Sequence, residues 1–135
     1  MKQKVLFICT HNSARSQIAE GLLNHLYGDK YEAFSAGTQP TQVSPCAIKV
    51  MQEIDIDISY HRSKSAQEFL DTEIDYVVTV CDNANETCPF FPGGKQRMHQ
   101  SFSDPSKITG SEAEALNGFR KIRDQIKIWL EKTFG

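Results

Sequence analysis

The sequence predicts an α/β fold: one three-layer domain over residues 1–135, with a four-stranded parallel sheet and helices on both faces. Two observations support this fold class. Short apolar or β-branched runs at residues 4–8, 31–37 and 75–80 alternate with segments of helical periodicity. The first run, "KVLFI", is continuously apolar, which is typical of a central parallel strand covered on both faces.

The first half of the chain begins with a strand at residues 4–8, followed by a helix. Apolar residues recur in that helix with a period of three to four, and Gly28 is placed to end it. "YEAFSAG" at Tyr31–Gly37 then alternates as a second strand. Ser44 and Pro45 have the pattern of an N-cap and a first helical residue, which predicts a second helix.

The second half supplies the remaining strands and a closing helix. "DYVVTV" at residues 75–80 is rich in β-branched residues, as expected of a third strand. A loop with Asn, Pro and Gly follows, and we place a short fourth strand at residues 98–102. Ser111 with Glu114 forms a capping-box pattern before a long amphipathic helix.

Composition excludes several functions. Fifteen basic and 17 acidic residues give a net charge of −2, which disfavours a general nucleic-acid-coating role. No apolar stretch approaches the roughly 20 residues of a membrane span. The N-terminal apolar run is too short for a secretion signal, so we expect a cytoplasmic protein. We also expect a monomer. Four cysteines are too few for a disulfide scaffold at this length.

The segment between the first strand and the first helix has the composition of an anion site. Cys9 ends the strand and Arg15 follows after small or polar residues. Backbone N–H groups in such a turn can converge on an anion, and a guanidinium fits a tetrahedral oxyanion. The same donors favour a thiolate, which makes Cys9 a nucleophile. The predicted substrate-binding residues are Thr10, His11, Asn12, Ser13, Ala14, Arg15 and Ser16.

The alternative interpretation is a buried cysteine beside a surface arginine. Either residue alone would favour that alternative. Their joint placement at a strand-to-helix turn favours an active site instead. Cys81 and Asp104 follow later strands, so all three should lie at one edge of the sheet. Asp104 precedes Pro105, and the local sequence alone would also fit an inert turn.

Cys81 and Cys88 could be incidental residues or a metal pair. Six intervening residues make a poor zinc spacing, and no matching histidine pair is present. A dithiol can supply two electrons by forming a disulfide, so we interpret the pair as redox-active. We predict no metal site and no cofactor.

These motifs resemble the low-molecular-weight protein tyrosine phosphatase superfamily, with its flavodoxin-like topology. Cys9, Arg15, Ser16 and the Asp104-Pro105 pair carry that resemblance. Within the superfamily, "FICTHNSARSQIAEG", "SAGT" and "VVTVCDNANETCP" are similar to thioredoxin-coupled arsenate reductases in order and spacing. The resemblance covers nearly the whole chain.

The resemblance implies a mechanism and two partners, arsenate and thioredoxin. Arg15 and the loop would bind arsenate, and Cys9 would attack arsenic while Asp104 protonates the leaving oxygen. Cys81 would then attack Cys9 and release arsenite. Cys88 would attack Cys81 and leave a Cys81–Cys88 disulfide for thioredoxin to reduce.

The sequence departs from the family pattern at three positions. Phosphatases of this fold usually carry a tyrosine where Ser106 stands, and many have a second loop cysteine in place of Ala14. Some arsenate reductases bind potassium through residues that match Asn12, Glu20 and Ser35 together with an acidic residue. Lys64 occupies that acidic position, so its ammonium would take the place of the cation. Cys46 is expected to be a bystander, and spacing alone gives His61 no role.

Two other functions remain open from the sequence. A low-molecular-weight phosphatase acting on phosphomonoesters would use Cys9, Arg15 and Asp104 unchanged. A redox sensor would instead bind a partner when Cys81 and Cys88 are oxidised. Arsenate reduction that requires thioredoxin and Cys88 separates the reductase from both.

Overall fold

In the computed structural model, residues 2–82 and 90–135 are described. The strands and α-helices are β1 (Gln3–Cys9), α1 (Arg15–Tyr27), β2 (Tyr31–Gly37), α2 (Pro45–Gln52), β3 (Tyr76–Thr79), β4 (Gln96–His99) and α3 (Glu112–Phe134). Two 3-10 helices span Ala66–Phe69 and Pro105–Lys107.

The four strands form one parallel sheet in the order β2-β1-β3-β4, which confirms the predicted fold class. Cys9 at the end of β1 pairs in register with Gly37, and Ile8 pairs with Thr79. The apolar run predicted to be central is β1, and its residues from Val5 to Ile8 are fully buried. The carboxyl ends of the strands therefore meet at one edge of the sheet.

Alternate residues of β1 enter two different clusters of buried side chains. Val5 and Phe7 pack in a core that includes residues of α1, α2 and α3. Leu6 and Ile8 pack on the opposite side with Phe69 of a 3-10 helix. Among the described residues, the α-helices thus share one face of the sheet, while a 3-10 helix contributes to the cover of the other.

Side-chain caps begin two of the helices as the sequence predicts. The Ser44 hydroxyl accepts a hydrogen bond from the Ala47 N–H, with Pro45 at the first helical position of α2. Ser111 and Glu114 form a complete capping box at the start of α3. Gly28 ends α1 as expected, although it has right-handed φ and ψ angles of −64° and −12°.

The fourth strand begins two residues earlier than predicted and ends three residues earlier. The sequence pattern placed it at residues 98–102, whereas β4 spans Gln96–His99 and the Gln100 N–H makes a further bond to the Thr79 carbonyl. Phe102 is buried, which explains the error, but its carbonyl accepts a hydrogen bond from Arg15 instead of a strand partner. None of the helices in the described part of the chain has the length and apolarity to cross a membrane.

Candidate active site

A small cavity opens where β1 turns into α1. It measures about 20 Å³ and is lined by Cys9, His11, Ser13, Ala14, Arg15, Asp104 and Ser106. Four of the seven residues predicted to bind substrate therefore line it, together with the predicted nucleophile and acid. A cavity of about 340 Å³ lies along β3 and β4, but none of the described residues that line it is a cysteine. The smaller cavity is therefore the candidate active site.

The turn at residues 9–16, the nucleophile loop, is held by the side chain of Asn12. Asn12 is fully buried and has a left-handed φ of 51°, which is uncommon outside glycine. Its Oδ1 accepts hydrogen bonds from the Lys64 N–H at 2.8 Å and the Gln17 Nε2 at 2.9 Å. Its Nδ2 donates to the Ser16 hydroxyl at 2.8 Å. Asn12 thus supports the loop from behind and does not line the cavity.

The end of β2 packs tightly against this loop. A Cβ atom on Gly37 would lie 2.5 Å from the Thr10 carbonyl oxygen and 2.9 Å from the Asn12 nitrogen. Real Cβ atoms do not approach other atoms so closely, so any other residue here would displace the loop. The glycine of "SAGT" is therefore required by packing and not by its own backbone angles.

The backbone of the loop offers donors to a ligand. Within the described residues, the N–H groups of His11, Asn12, Ser13 and Ala14 donate to no protein acceptor. Asn12 and Ala14 are also buried. A run of N–H groups without protein acceptors at the start of a helix is typical of an anion site.

The Cys9 thiol is buried and lies 2.9 Å from the Ser16 hydroxyl oxygen. Ser16 already accepts a hydrogen bond from Asn12, so its own hydrogen is available to donate to the Cys9 sulfur. Ser16 was predicted to bind substrate, and in this structure its hydroxyl contacts the predicted nucleophile.

Arg15 begins α1 and is only 4% exposed. Its Nη1 donates to the Phe102 carbonyl at 3.2 Å, and its Nη2 lies 3.6 Å from Oδ2 of Asp104. Arg15 therefore connects the nucleophile loop to the segment at residues 100–110, the acid loop. A buried guanidinium beside Cys9 suits a doubly charged oxyanion.

Asp104 lies in the acid loop with 13% of its side chain exposed. Its Oδ1 accepts two hydrogen bonds from Ser106, one from the N–H at 3.0 Å and one from the hydroxyl at 2.6 Å. Its Oδ2 faces Arg15. The structure thus brings the predicted acid to the same cavity as Cys9.

Cys81 lies two residues beyond β3, the neighbour of β1 in the sheet, and is fully buried. The Val80 N–H donates to the Ile8 carbonyl, so Cys81 follows directly on the pairing of β3 with Ile8, the residue before Cys9. Cys81 is in a disulfide, whereas Cys9 and Cys46 are free. Cys88 lies outside the described residues.

A largely buried polar cluster lies behind the nucleophile loop. Its members occupy the positions that match the potassium-binding residues of some arsenate reductases. The Ser35 hydroxyl donates to Oε1 of Glu20 at 2.6 Å. The Lys64 ammonium lies 3.6 Å from the same oxygen and donates to the Arg62 carbonyl at 3.1 Å. Lys64 therefore places a positive charge beside Glu20, as the sequence predicts.

His61 joins this cluster to the nucleophile loop through Gln17. The His61 Nδ1 lies 2.9 Å from Oε1 of Gln17, and its Nε2 lies 3.4 Å from Glu20. Gln17 in turn donates to the side chain and the carbonyl of Asn12. Burial lowers the pKa of His61, and Lys64 lowers it further, while Glu20 opposes both.

Sequence reasoning missed Gln17. A glutamine in the first turn of a helix gives no signal of burial, and only its fully buried position in the fold shows its role. Among residues 2–82 and 90–135, no group of three or more His, Cys, Asp or Glu side chains is arranged to hold a metal ion.

Known proteins resemble this chain over most of its length. Residues 4–134 match the family described as low molecular weight phosphotyrosine protein phosphatase. An arsenate reductase of Halalkalibacterium halodurans is 42% identical over 125 residues, which cover 93% of this chain and 90% of that protein. An arsenate reductase solved in the phosphate binding state superimposes with a TM-score of 0.81 at 31% identity, covering 97% of this chain and 95% of the other. The thioredoxin-dependent arsenate reductase of Corynebacterium glutamicum gives 0.65 at 28% identity, covering 97% and 61%.

Proposed function

Because the chain belongs to the low molecular weight phosphotyrosine protein phosphatase family, we propose that it is an arsenate reductase that works through a relay of Cys9, Cys81 and Cys88 and is regenerated by thioredoxin. The observation that carries the proposal is the convergence of Cys9, Arg15 and Asp104 on one small cavity, with Cys81 after the neighbouring strand. A phosphatase needs the first three residues only.

The first step forms a sulfur–arsenic bond. Arsenate binds to the loop N–H groups and to Arg15, which neutralise its charge. The Cys9 thiolate attacks arsenic, and one oxygen leaves as water after accepting a proton from Asp104. Ser16 stabilises the thiolate before the attack by donating to its sulfur. The product of this step is an arsenic(V) adduct on Cys9.

The second step reduces arsenic. The Cys81 thiolate attacks the Cys9 sulfur, a disulfide forms, and the electron pair of the sulfur–arsenic bond stays on arsenic, which leaves as arsenite. Cys88 then attacks Cys81, which frees the Cys9 thiolate and leaves a Cys81–Cys88 disulfide. A free Cys9 and an oxidised Cys81 in this structure are the thiol states that the proposed cycle has at its end.

Turnover then requires an external dithiol that reduces the Cys81 disulfide. The thioredoxin dependence of the Corynebacterium glutamicum protein supports thioredoxin as the donor. A dithiol donor acts in a reducing compartment, so we place the enzyme in the cytoplasm, where it would act as a monomer in arsenic detoxification.

Oxidation of NADPH tests the proposal, measured with thioredoxin, thioredoxin reductase and arsenate, and with phosphate as the control. We expect consumption with arsenate only. Cys88→Ser should release about one arsenite per enzyme and stall with a Cys9–Cys81 disulfide. Cys81→Ser should stall earlier, at the arsenic adduct. Cys46→Ser, on α2, is the matched control and should turn over normally. Sustained thioredoxin-driven turnover by Cys88→Ser would defeat the relay.

Hydrolysis of phosphomonoesters is the alternative, favoured by the family match itself. The nucleophile, arginine and acid of the cavity would serve it without Cys81. The same variants discriminate the two functions. If Cys81→Ser abolishes arsenate reduction and leaves hydrolysis of p-nitrophenyl phosphate unchanged, the phosphatase reaction is a side activity of the first step. If arsenate supports no NADPH oxidation and the phosphatase reaction is fast, the chain is a phosphatase.

A further inference from the structure

We propose that Ser106 is a positioning residue for the acid of this site, because its hydroxyl fixes which oxygen of Asp104 faces the substrate. The inference rests on the proposed function, in which Asp104 protonates the leaving oxygen. It concerns the residue directly after the Asp104-Pro105 pair, at the mouth of the cavity.

The two oxygens of Asp104 have different environments. Oδ1 accepts both the N–H and the hydroxyl of Ser106, at 3.0 Å and 2.6 Å. Oδ2 lies on the side of the Arg15 guanidinium, 3.6 Å from Nη2. An ionised carboxylate is only an acceptor, so the Ser106 hydroxyl must donate its hydrogen. The carboxylate is thereby held with Oδ2 toward Arg15.

The hydrogen bond from the Ser106 hydroxyl to Asp104 is not needed to form the turn itself. The Ser106 N–H alone would cap the 3-10 helix at Pro105–Lys107, and any residue with an N–H would supply that bond. The hydroxyl adds a second donor to the same oxygen, and Ser106 lines the cavity. This second donor is what distinguishes serine from alanine at the position.

The consequence for the reaction is that the transferable proton is carried on Oδ2. Both donors of Ser106 occupy Oδ1, so a proton placed there would displace one of them. A proton on Oδ2 faces the oxyanion that Arg15 binds and can pass to its leaving oxygen, which departs as water with the electrons of the arsenic–oxygen bond. The carboxylate that remains keeps both donors of Ser106. Solvent returns the proton.

The test compares Ser106→Ala with Ser106→Thr, which keeps a hydroxyl, and with Ser103→Ala. Ser103 is an exposed serine of the same acid loop that makes no hydrogen bond within the described residues. The readouts are kcat/KM for arsenate from pH 5.5 to 9, with thioredoxin recycling, and the inhibition constant of inorganic phosphate. The charged or titratable groups around Asp104 are Arg15, Cys9 and His11, and none of them is altered.

We expect Ser106→Ala to lower kcat/KM by about threefold to tenfold, the range for the loss of one typical intramolecular hydrogen bond. The phosphate inhibition constant should stay within about twofold, since the Arg15 site is intact, and Ser106→Thr and Ser103→Ala should behave like the wild type.

Two results would overturn the inference. Normal kcat/KM and pH dependence in Ser106→Ala would show that the hydroxyl has no role. A loss of phosphate binding that matches the loss of kcat/KM would show that it supports the loop and does not aim the acid. Asp104→Asn separates this failure from failure of the proposed function. If that variant keeps the wild-type kcat/KM and pH profile, Asp104 is not the acid; if it is defective while Ser106→Ala is normal, only the role of Ser106 fails.

Discussion

The nucleophile loop and the acid loop meet at one cavity but are held by different means. Asn12, in the first, contacts Lys64 and two residues of α1, and the end of β2 packs against the backbone. In the second, the side chain of Asp104 accepts hydrogen bonds from Ser106, two residues away, and faces Arg15. Asn12 therefore ties the first loop to several distant segments, whereas the acid of the second is held by a local turn and one guanidinium.

This difference predicts where substitutions do most damage. A change in the nucleophile loop should disturb both folding and chemistry, because the same bonds serve both. A change in the acid loop should alter the reaction or the local stability, but not both.

Arg15→Lys should be the most damaging, because Arg15 binds the substrate and joins the two loops. Lysine keeps the charge but loses the planar, two-pronged contact with an oxyanion and cannot also reach the Phe102 carbonyl. Loss of one or two charge-assisted hydrogen bonds, at about 1.5–3 kcal/mol each, lowers kcat/KM for arsenate by roughly tenfold to ten-thousandfold.

Arg62→Lys is the matched control. Arg62 is exposed and pairs with Glu68 at the surface, so its replacement should leave kcat/KM unchanged. Near-normal turnover by Arg15→Lys would show that the guanidinium is not needed to bind the substrate.

Asn12→Ala should cost both stability and activity. The variant loses three buried side-chain hydrogen bonds and must keep a left-handed φ without a side chain that supports it. We expect a loss of about 2–5 kcal/mol in the free energy of unfolding. Urea denaturation measures it. Asn12→Gly loses the same bonds but tolerates the backbone angle, so it should be more stable than Asn12→Ala by about 1–2 kcal/mol. Equal stabilities of the two variants would show that backbone strain at position 12 does not contribute to the loss.

The sequence predicts the nucleophile loop better than the contacts behind it. Cys9, Arg15 and the small residues between them form a local pattern whose chemistry can be interpreted without a structure. Gln17, His61 and Lys64 come from α1 and from a separate segment, and they meet only because β1 and β2 pair in parallel. No local sequence pattern predicts that these three side chains lie together. Lys64 was found only through the family comparison.

In the acid loop, by contrast, the local sequence itself is ambiguous. Asp104-Pro105 fits an ordinary turn, and the sequence alone could not tell a reactive carboxylate from an inert one. The prediction of β4 failed nearby, because a buried phenylalanine at position 102 looks like a strand residue while its backbone serves Arg15. Burial and strand pairing are separate properties, and a hydrophobicity pattern reports only burial.

His61 should make the stability of the nucleophile loop sensitive to acid. Because burial lowers the pKa of His61 in the folded protein, the unfolded chain binds its proton more readily. Stability should therefore fall as pH decreases below the ordinary histidine value of about 6.5. Glu20 and Asp57 oppose this shift, while Lys64 adds to it.

The free energy of unfolding, measured from pH 5 to 8, checks this sign for the wild type and for His61→Gln. Glutamine can donate to Gln17 but does not titrate, so the variant should depend less on pH across that range. Other histidines titrate in both proteins and cancel in the difference. A difference that is constant from pH 5 to 8 would show that His61 keeps its ordinary affinity for protons.

Ser111→Ala should have the smallest effect and a purely local one. Ser111 directly follows the acid loop and caps α3: its hydroxyl accepts the Glu114 N–H at 3.2 Å, and the Glu114 carboxylate accepts the Ser111 N–H. Loss of an N-cap costs about 0.5–2 kcal/mol, which thermal unfolding can resolve as a lower Tm. Ser103→Ala, in the acid loop and without a cap to lose, should leave the Tm unchanged.

Because the acid loop contacts the cavity through Asp104 and Ser106, seven and five residues before the cap, kcat/KM of Ser111→Ala for arsenate should remain that of the wild type. If Ser111→Ala lowered kcat/KM as much as Ser106→Ala, the start of α3 would be mechanically coupled to Asp104, and the acid loop, like the nucleophile loop, would be tied to a segment outside its own turn.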